Sequence, residues 1–131
     1  MIKNFFLYLK IIFHIANIVH IILYIFPGSI LGWLLYNNAR LQPQITPDFI
    51  VSSNHVYAFI LLSILGYISH KKENLKLIFI YLFSISIFLE ILHIIVPNRG
   101  FEFSDLFGNI VGVLIVFLYY QINQYLLNSK K

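Results

Sequence analysis

Four apolar runs separated by polar connectors dominate the hydrophobic pattern of this chain. Each run has about the 20 residues that a helix needs to cross the hydrocarbon core of a bilayer. The pattern therefore predicts an all-α membrane protein in which a single domain, residues 1–131, contains four transmembrane helices. We place these spans at Phe5–Phe26, Phe49–Ser69, Leu75–Val96 and Ser104–Tyr125.

The connector between the first two runs, Pro27–Asp48, contains a shorter apolar stretch at Ile30–Tyr36. This stretch is too short to cross a bilayer, and it carries Trp33 and Tyr36. Both residue types are enriched where membrane meets water. We therefore expect an interfacial segment after the first span.

Positive charges are distributed unequally between the two sides of this four-helix arrangement. Cytoplasmic loops of membrane proteins carry an excess of lysine and arginine. Only Arg40 and Arg99 lie on one side, which we therefore expect to face outward. The other side, with both termini, is predicted to be cytoplasmic because it carries seven lysines: Lys3, Lys10, Lys71, Lys72, Lys76, Lys130 and Lys131.

Composition supports the membrane assignment and excludes several kinds of function. The chain is 60% hydrophobic and 11% charged, whereas about a quarter of the residues in a soluble domain are charged. Without cysteine there are no disulfides, thiolate metal sites or cysteine nucleophiles. The net charge of +4 comes mainly from lysines at the ends of apolar runs, so we expect no nucleic-acid partner. The first run lacks a small-residue cleavage signal, and we expect it to stay in the protein as a span.

Polar and ionisable residues lie near the predicted outer end of three spans. With a helical rise of about 1.5 Å per residue, three of these residues lie roughly 6–9 Å below the outer membrane edge. Ionisable groups at such depth are costly and usually functional. Their shared depth predicts an outward-facing ligand-binding site made of His55, Glu90, His93, Arg99, Asp105 and Asn109.

Some of these residues also have simpler explanations. Asp105 in the first turn of a helix complements the helix dipole. Glu90 could be a structural charge partner of Arg99 or His55, and His93 could orient Glu90 from the same helix face. Gly108 and Gly112 form a small-xxx-small pair, which predicts close helix packing. His14 and His20 are six residues apart on different helix faces, and we assign them no role.

The chemistry of these residue types favours binding of an anion. An arginine above a histidine can hold a phosphate. The single Glu90-x-x-His93 pair supplies neither a zinc-protease nor a di-iron ligand set, and a haem between His55 and His93 is disfavoured in so polar a layer. We therefore expect no metal and no cofactor. If the protein is an enzyme, His55 would be the nucleophile or general base and Glu90 its partner.

One pattern runs through these residues from Ile50 to Val116: His55, then Glu90, a Pro97-Asn98-Arg99 turn, and Asp105-x-x-x-Asn109-x-x-Gly112. It resembles the VanZ-like integral membrane proteins, a family named for the teicoplanin-resistance protein VanZ. The chain departs from the family's usual pattern in two ways. Val51 and Ser52 replace an Asp-Lys pair, and His93 replaces a glutamine.

The resemblance implies a multi-pass protein of the bacterial inner membrane that is linked to the cell envelope and, in some bacteria, to teicoplanin resistance. The function we favour is binding of an anionic lipid head group or a lipid-linked cell-wall intermediate, with Arg99 holding the anion and His55 assisting. The alternatives are a membrane-embedded lipid-phosphate hydrolase or transferase, and a small accessory subunit of a larger membrane complex. A homodimer is also compatible with so short a chain.

Overall fold

The computed structural model describes the backbone of residues 2–129 and the side chains of residues 4–129. This part of the chain is helical and contains no strand. The side chain of Lys3 and both C-terminal lysines, Lys130 and Lys131, lie outside the described residues. The helices are α1 (Ile2–Ile25), α2 (Ile30–Tyr36), α3 (Ser53–Ser69), α4 (Leu75–Leu92) and α5 (Phe103–Asn128).

Three of these helices, α1, α4 and α5, are long and apolar enough to cross a membrane. The all-α prediction is therefore confirmed, and the chain is a membrane protein by the length and composition of its helices. In α1 only 6% of the apolar window is buried within the protein. Because an apolar surface of this extent is unstable in water, it fits contact with lipid. The fourth apolar helix, α3, has 17 residues.

The predicted second span begins too early in the sequence. Phe49 precedes α3 and is 92% exposed. The helix begins at Ser53, where the Asp48 side chain accepts a hydrogen bond from the Ser53 backbone N–H at 2.8 Å. Satisfying a free N–H of the first turn is how a capping residue starts a helix.

The predicted third span ends too late. α4 stops at Leu92 because the His93 N–H donates to the carbonyl of Glu90, three residues earlier, which tightens the last turn. Pro97 follows, and proline disfavours helical backbone in the residue before it. The last helix is longer than predicted, since α5 continues to Asn128.

α3 lies at the centre of the bundle and packs most extensively against α5, then against α1. Two glycines of α5 face the backbone of α3. A Cβ added at Gly108 would lie 2.8 Å from the Ser52 carbonyl oxygen, and one at Gly112 would lie 2.6 Å from that of Val56. Because a real Cβ does not approach so closely, glycine at both positions lets the two helices reach this separation.

The end of the bundle away from α2 has an ion pair between Lys10 in α1 and Glu73 in the α3–α4 turn. Glu73 lies outside the helices and is half exposed. The hydrogen bond from Lys10 lowers the pKa of Glu73 below its ordinary value. The contact joins α1 to the α3–α4 turn, which carries Lys71 and Lys72.

Candidate functional site

His55 connects three helices from its position in the first turn of α3, where it is 8% exposed. Its Nδ1 lies 2.9 Å from the Tyr24 hydroxyl of α1 and 2.9 Å from Asn109 Oδ1 of α5. Its Nε2 lies 3.3 Å from Asp105 Oδ2, also in α5. The imidazole thus has polar partners at both nitrogens and little freedom to turn.

Asn109 determines which nitrogen of His55 carries a proton. The Asn109 side chain is fully buried, and its Nδ2 donates to the Ser86 carbonyl at 3.1 Å. The other amide atom must therefore be the oxygen, which can only accept. It accepts from the Tyr24 hydroxyl at 2.7 Å. His55 Nδ1, at 2.9 Å from the same oxygen, must then carry hydrogen.

Glu90 and His93 form a second buried pair at the end of α4. Glu90 is 0% exposed, and its Oε1 accepts from the backbone N–H of Glu102 at 3.0 Å. Its Oε2 lies 3.3 Å from His93 Nδ1. The other nitrogen of His93, Nε2, donates to the Tyr24 carbonyl oxygen at 3.0 Å.

Arg99 contacts the backbone of α1. Its Nη2 donates to the Leu23 carbonyl at 3.2 Å, and its Nε lies 3.4 Å from that of Phe26. Carbonyls at a helix C-terminus have no partner within the helix and attract cations. Among the described residues, no ion pair joins Arg99 to Glu90, whose Oε2 lies 3.3 Å from His93 Nδ1 instead.

Two cavities meet at this cluster, and His55, His93 and Arg99 line both. The first, of about 440 Å³, lies between α1, α2 and α3. Its apolar lining is Leu23, Ile30, Leu31, Leu35, Ala58 and Leu61.

The second cavity, of about 330 Å³, has a polar lining that includes Asp48, Glu102 and Asp105. Arg99 is the cation on its wall. An apolar space therefore leads directly into a polar one. This arrangement suits a ligand with one apolar and one polar part.

The structure brings together all six residues predicted for the site, although with different partners from those expected. Asp105 and Asn109 contact His55, and Glu90 contacts His93 rather than Arg99. Ligand atoms of three residues, His55, Glu90 and Asp105, lie within 4.8 Å of one another. Since these residues come from three helices, no local spacing in the sequence marks them as a set.

Sequence analysis missed two residues of α1. Tyr24 hydrogen-bonds His55 and Asn109. His20, one helical turn earlier, is 9% exposed, and its ring centroid lies 4.7 Å from that of Tyr24. The i, i+4 spacing of two polar aromatic residues on one helix face was the available signal.

Comparison with known protein families shows which family the chain belongs to. The VanZ/LLP1 family model matches residues 1–124. The chain belongs to the VanZ/LLP1 family. The match confirms the resemblance found in the sequence and extends it to α1, which contributes Tyr24. No curated relative and no solved structure matches the chain significantly. The protein is thus a VanZ-like membrane protein whose polar residues meet beside two connected cavities.

Proposed function

We propose that this VanZ/LLP1 protein binds a membrane lipid with a phosphate in its head group. The supporting observation is the junction of the apolar and polar cavities at His55, His93 and Arg99. An acyl or prenyl chain would lie in the apolar cavity, and the head group would enter the polar one. The apolar part of the lipid would then contact apolar residues, and its head group would contact polar residues.

Arg99 would bind the phosphate. Its Nη2 and Nε are directed to the carbonyls of α1, which leaves further guanidinium N–H groups for a ligand. The polar cavity also contains carboxylates at Asp48 and Glu102. These groups accept hydrogen bonds, so the favoured head groups carry hydroxyl or ammonium donors as well as phosphate. Glycerophospholipids and lipid-linked cell-wall intermediates both fit this description.

The proposal includes four spans, with α3 as the fourth membrane-crossing helix. Its 17 residues extend over roughly 26 Å at the helical rise and are at the short end of the range for a span. The lysine excess then puts both termini in the cytoplasm and the site in the outer leaflet of a bacterial inner membrane. Through the resemblance to VanZ-like proteins, we extend the proposal to a role in the cell envelope, including teicoplanin susceptibility.

Native mass spectrometry of the detergent-purified protein tests lipid binding. We expect a bound phospholipid on the wild type, and after delipidation we expect added phosphatidylglycerol to bind. Arg99→Gln should weaken that binding about tenfold or more, because it removes charge-assisted hydrogen bonds. Arg40→Gln is the matched control, since Arg40 is exposed and lines neither cavity.

A variant of the apolar cavity separates lipid binding from simple ion binding. Ala58→Phe adds an aromatic ring to the wall of the larger cavity without changing any charged residue. It should reduce retention of phosphatidylglycerol and leave helix content unchanged. Equal retention by wild type, Arg99→Gln and Ala58→Phe would disprove the proposal. The same spectra report a homodimer or a bound partner subunit, which would favour the accessory-subunit alternative.

A lipid-phosphate hydrolase is the second candidate, because His55 is paired with a carboxylate at the wall of the polar cavity. The nearest carboxylate partner is Asp105 at 3.3 Å, whereas Glu90 contacts His93. Release of inorganic phosphate from a polyprenyl or glycerolipid phosphate, lost in both His55→Gln and Asp105→Asn, would favour this function. Binding without turnover would favour the lipid-binding protein.

A further inference from the structure

Three side chains of the types that bind metal ions lie beside the polar cavity. A ring nitrogen of His55 on α3 and carboxylate oxygens of Glu90 on α4 and Asp105 on α5 lie within 4.8 Å of one another. One imidazole and two carboxylates bind first-row divalent cations such as Mn²⁺, Fe²⁺ and Zn²⁺. All three side chains are at least partly buried, so water cannot fully solvate their charges.

The hydrogen bonds of His55 direct a lone pair toward Asp105. Nδ1 carries hydrogen because Asn109 Oδ1 can only accept. In a neutral ring, Nε2 therefore presents a lone pair to Asp105 Oδ2 at 3.3 Å. Two lone pairs at this distance require a positive charge near them. Metal-binding histidines typically donate from the second nitrogen to an oxygen acceptor, as His55 does here.

Glu90 gives a second, independent observation. Its Oε2 is fully buried and accepts no hydrogen bond of good geometry from the described residues. The closest group is His93 Nδ1 at 3.3 Å, and that nitrogen also presents a lone pair when the ring is neutral, because Nε2 donates to Tyr24. An unpaired buried carboxylate oxygen is costly. With a neutral His93, Glu90 Oε2 therefore has neither a donor nor a cation among the described residues.

We propose that His55, Glu90 and Asp105 bind one divalent first-row transition-metal ion. This reverses the expectation from sequence that the protein holds no metal. The inference goes beyond lipid binding, and cation binding can be measured without lipid. If both proposals are correct, the cation would offset the carboxylates of the polar cavity next to the lipid phosphate and add a second positive charge to that of Arg99.

The experiment uses Mn²⁺ as the probe with the detergent-purified full chain. The protein is first dialysed against EDTA, and the disappearance of the electron paramagnetic resonance signal of free Mn²⁺ then counts bound ions. Competition with Zn²⁺ tests the preference for an imidazole-containing site. We expect about one Mn²⁺ per chain with a Kd below about 1 mM.

Variants test which residues bind the ion. His55→Gln, Glu90→Gln and Asp105→Asn should each weaken Mn²⁺ binding by more than about tenfold, since even changes to groups behind the ligands have effects of this size. The control is Glu73→Gln, which removes an exposed carboxylate in the α3–α4 turn that lines neither cavity and is none of the three ligands. This control should stay within about twofold of the wild type, because exposed charges at a distance act weakly.

A ligand variant that fails to fold does not end the test. Thermal unfolding of the wild type should shift to higher temperature with Mn²⁺, and EDTA should reverse the shift, because ligands of the native state stabilise it. Wild type without Mn²⁺ or Zn²⁺ binding and without such a shift would overturn the metal site and identify the contacts as imidazolium–carboxylate pairs. Equal loss of binding in Glu73→Gln would also overturn it.

The two proposals can fail separately. Mn²⁺ binding without retention of phosphatidylglycerol would support the metal site and disprove lipid binding. If the protein binds no Mn²⁺ but retains phosphatidylglycerol in a manner that depends on Arg99, lipid binding would be supported and the metal site disproved.

Discussion

Close packing between α3 and α5 makes Gly112 the most informative position for a stability test. A Cβ at this residue would lie 2.6 Å from the Val56 carbonyl oxygen and 2.8 Å from the Cβ of Phe59. The first contact is with backbone, so a side-chain rotation cannot relieve it. Gly112→Ala therefore forces the two helices apart.

The magnitude follows from the distances. Ordinary contact begins at 3.4 Å, so an initial separation of 2.6 Å requires a movement of about 0.8 Å. Overpacking of this kind typically costs about 1–3 kcal/mol. Alanine is better than glycine within a helix by about 0.5–1 kcal/mol, which offsets part of the loss. The difference is a loss of about 0–2.5 kcal/mol, and we expect Gly112→Ala to lower the free energy of unfolding by about 1 kcal/mol, near the middle of that range.

Gly66→Ala in α3 is a matched helical control with the same propensity gain. The Cβ added there would meet side-chain atoms, Phe13 Cε2 at 3.1 Å and Ile78 Cγ2 at 3.2 Å. Because side-chain ends can move by a few tenths of an ångström, this variant should unfold within about 0.5 kcal/mol of the wild type. Unfolding in detergent followed by circular dichroism measures both. If Gly112→Ala is as stable as Gly66→Ala, the close approach of α3 and α5 is wrong.

Three smaller perturbations address other contacts. Tyr24→Phe removes the hydroxyl that donates to Asn109 Oδ1 and should lower the free energy of unfolding in detergent by about 0.5–1.5 kcal/mol; an unchanged value would show that water replaces the hydroxyl. Ser29→Ala removes the side chain that accepts from the Gly32 N–H at 2.9 Å, and a loss of about 1 kcal/mol should appear as faster amide exchange confined to α2. The hydrogen bond from Lys10 lowers the pKa of Glu73 below 4.5 in the folded state. The stabilisation that the Lys10–Glu73 pair gives the folded protein is therefore complete above pH 4.5 and is lost as pH falls through the lowered folded-state pKa of Glu73. Glu73→Gln should lack the loss of melting temperature that the wild type shows as pH falls below 4.5, and a wild-type profile in the variant would contradict the assignment.

The apolar runs of the sequence predicted α1, α4 and α5 because a run of this length has few folds other than a membrane-crossing helix. Helix ends were less predictable. The start of α3 depends on a side chain five residues upstream, Asp48, reaching the Ser53 N–H. The end of α4 depends on one tightened turn at His93. Hydrophobicity contains no signal for either.

The site residues were found because helical rise alone puts His55, Glu90 and Asn109 at one depth. Their partners were not found, since depth does not specify how each helix is rotated. Tyr24 is one of nine tyrosines, and its spacing from His20 does not show which residues of the other helices it would contact. Arg99 binds main-chain carbonyls, which every residue has. The partners of Tyr24 and Arg99 are therefore known only once the helices are packed together.

The hydrogen bond from the Glu102 N–H to Glu90 also has a consequence for biogenesis. In the proposed topology, Glu90 enters the membrane within α4, and an ionisable residue in a single helix opposes insertion by a few kcal/mol. Its donor lies at the start of α5, and His93 on its own helix needs the Tyr24 carbonyl of α1 to be oriented. An α4–α5 hairpin is therefore a more favourable unit to pass from the translocon into lipid than α4 alone. Glu90 thus favours a biogenesis order in which α5 is synthesised before α4 leaves the translocon.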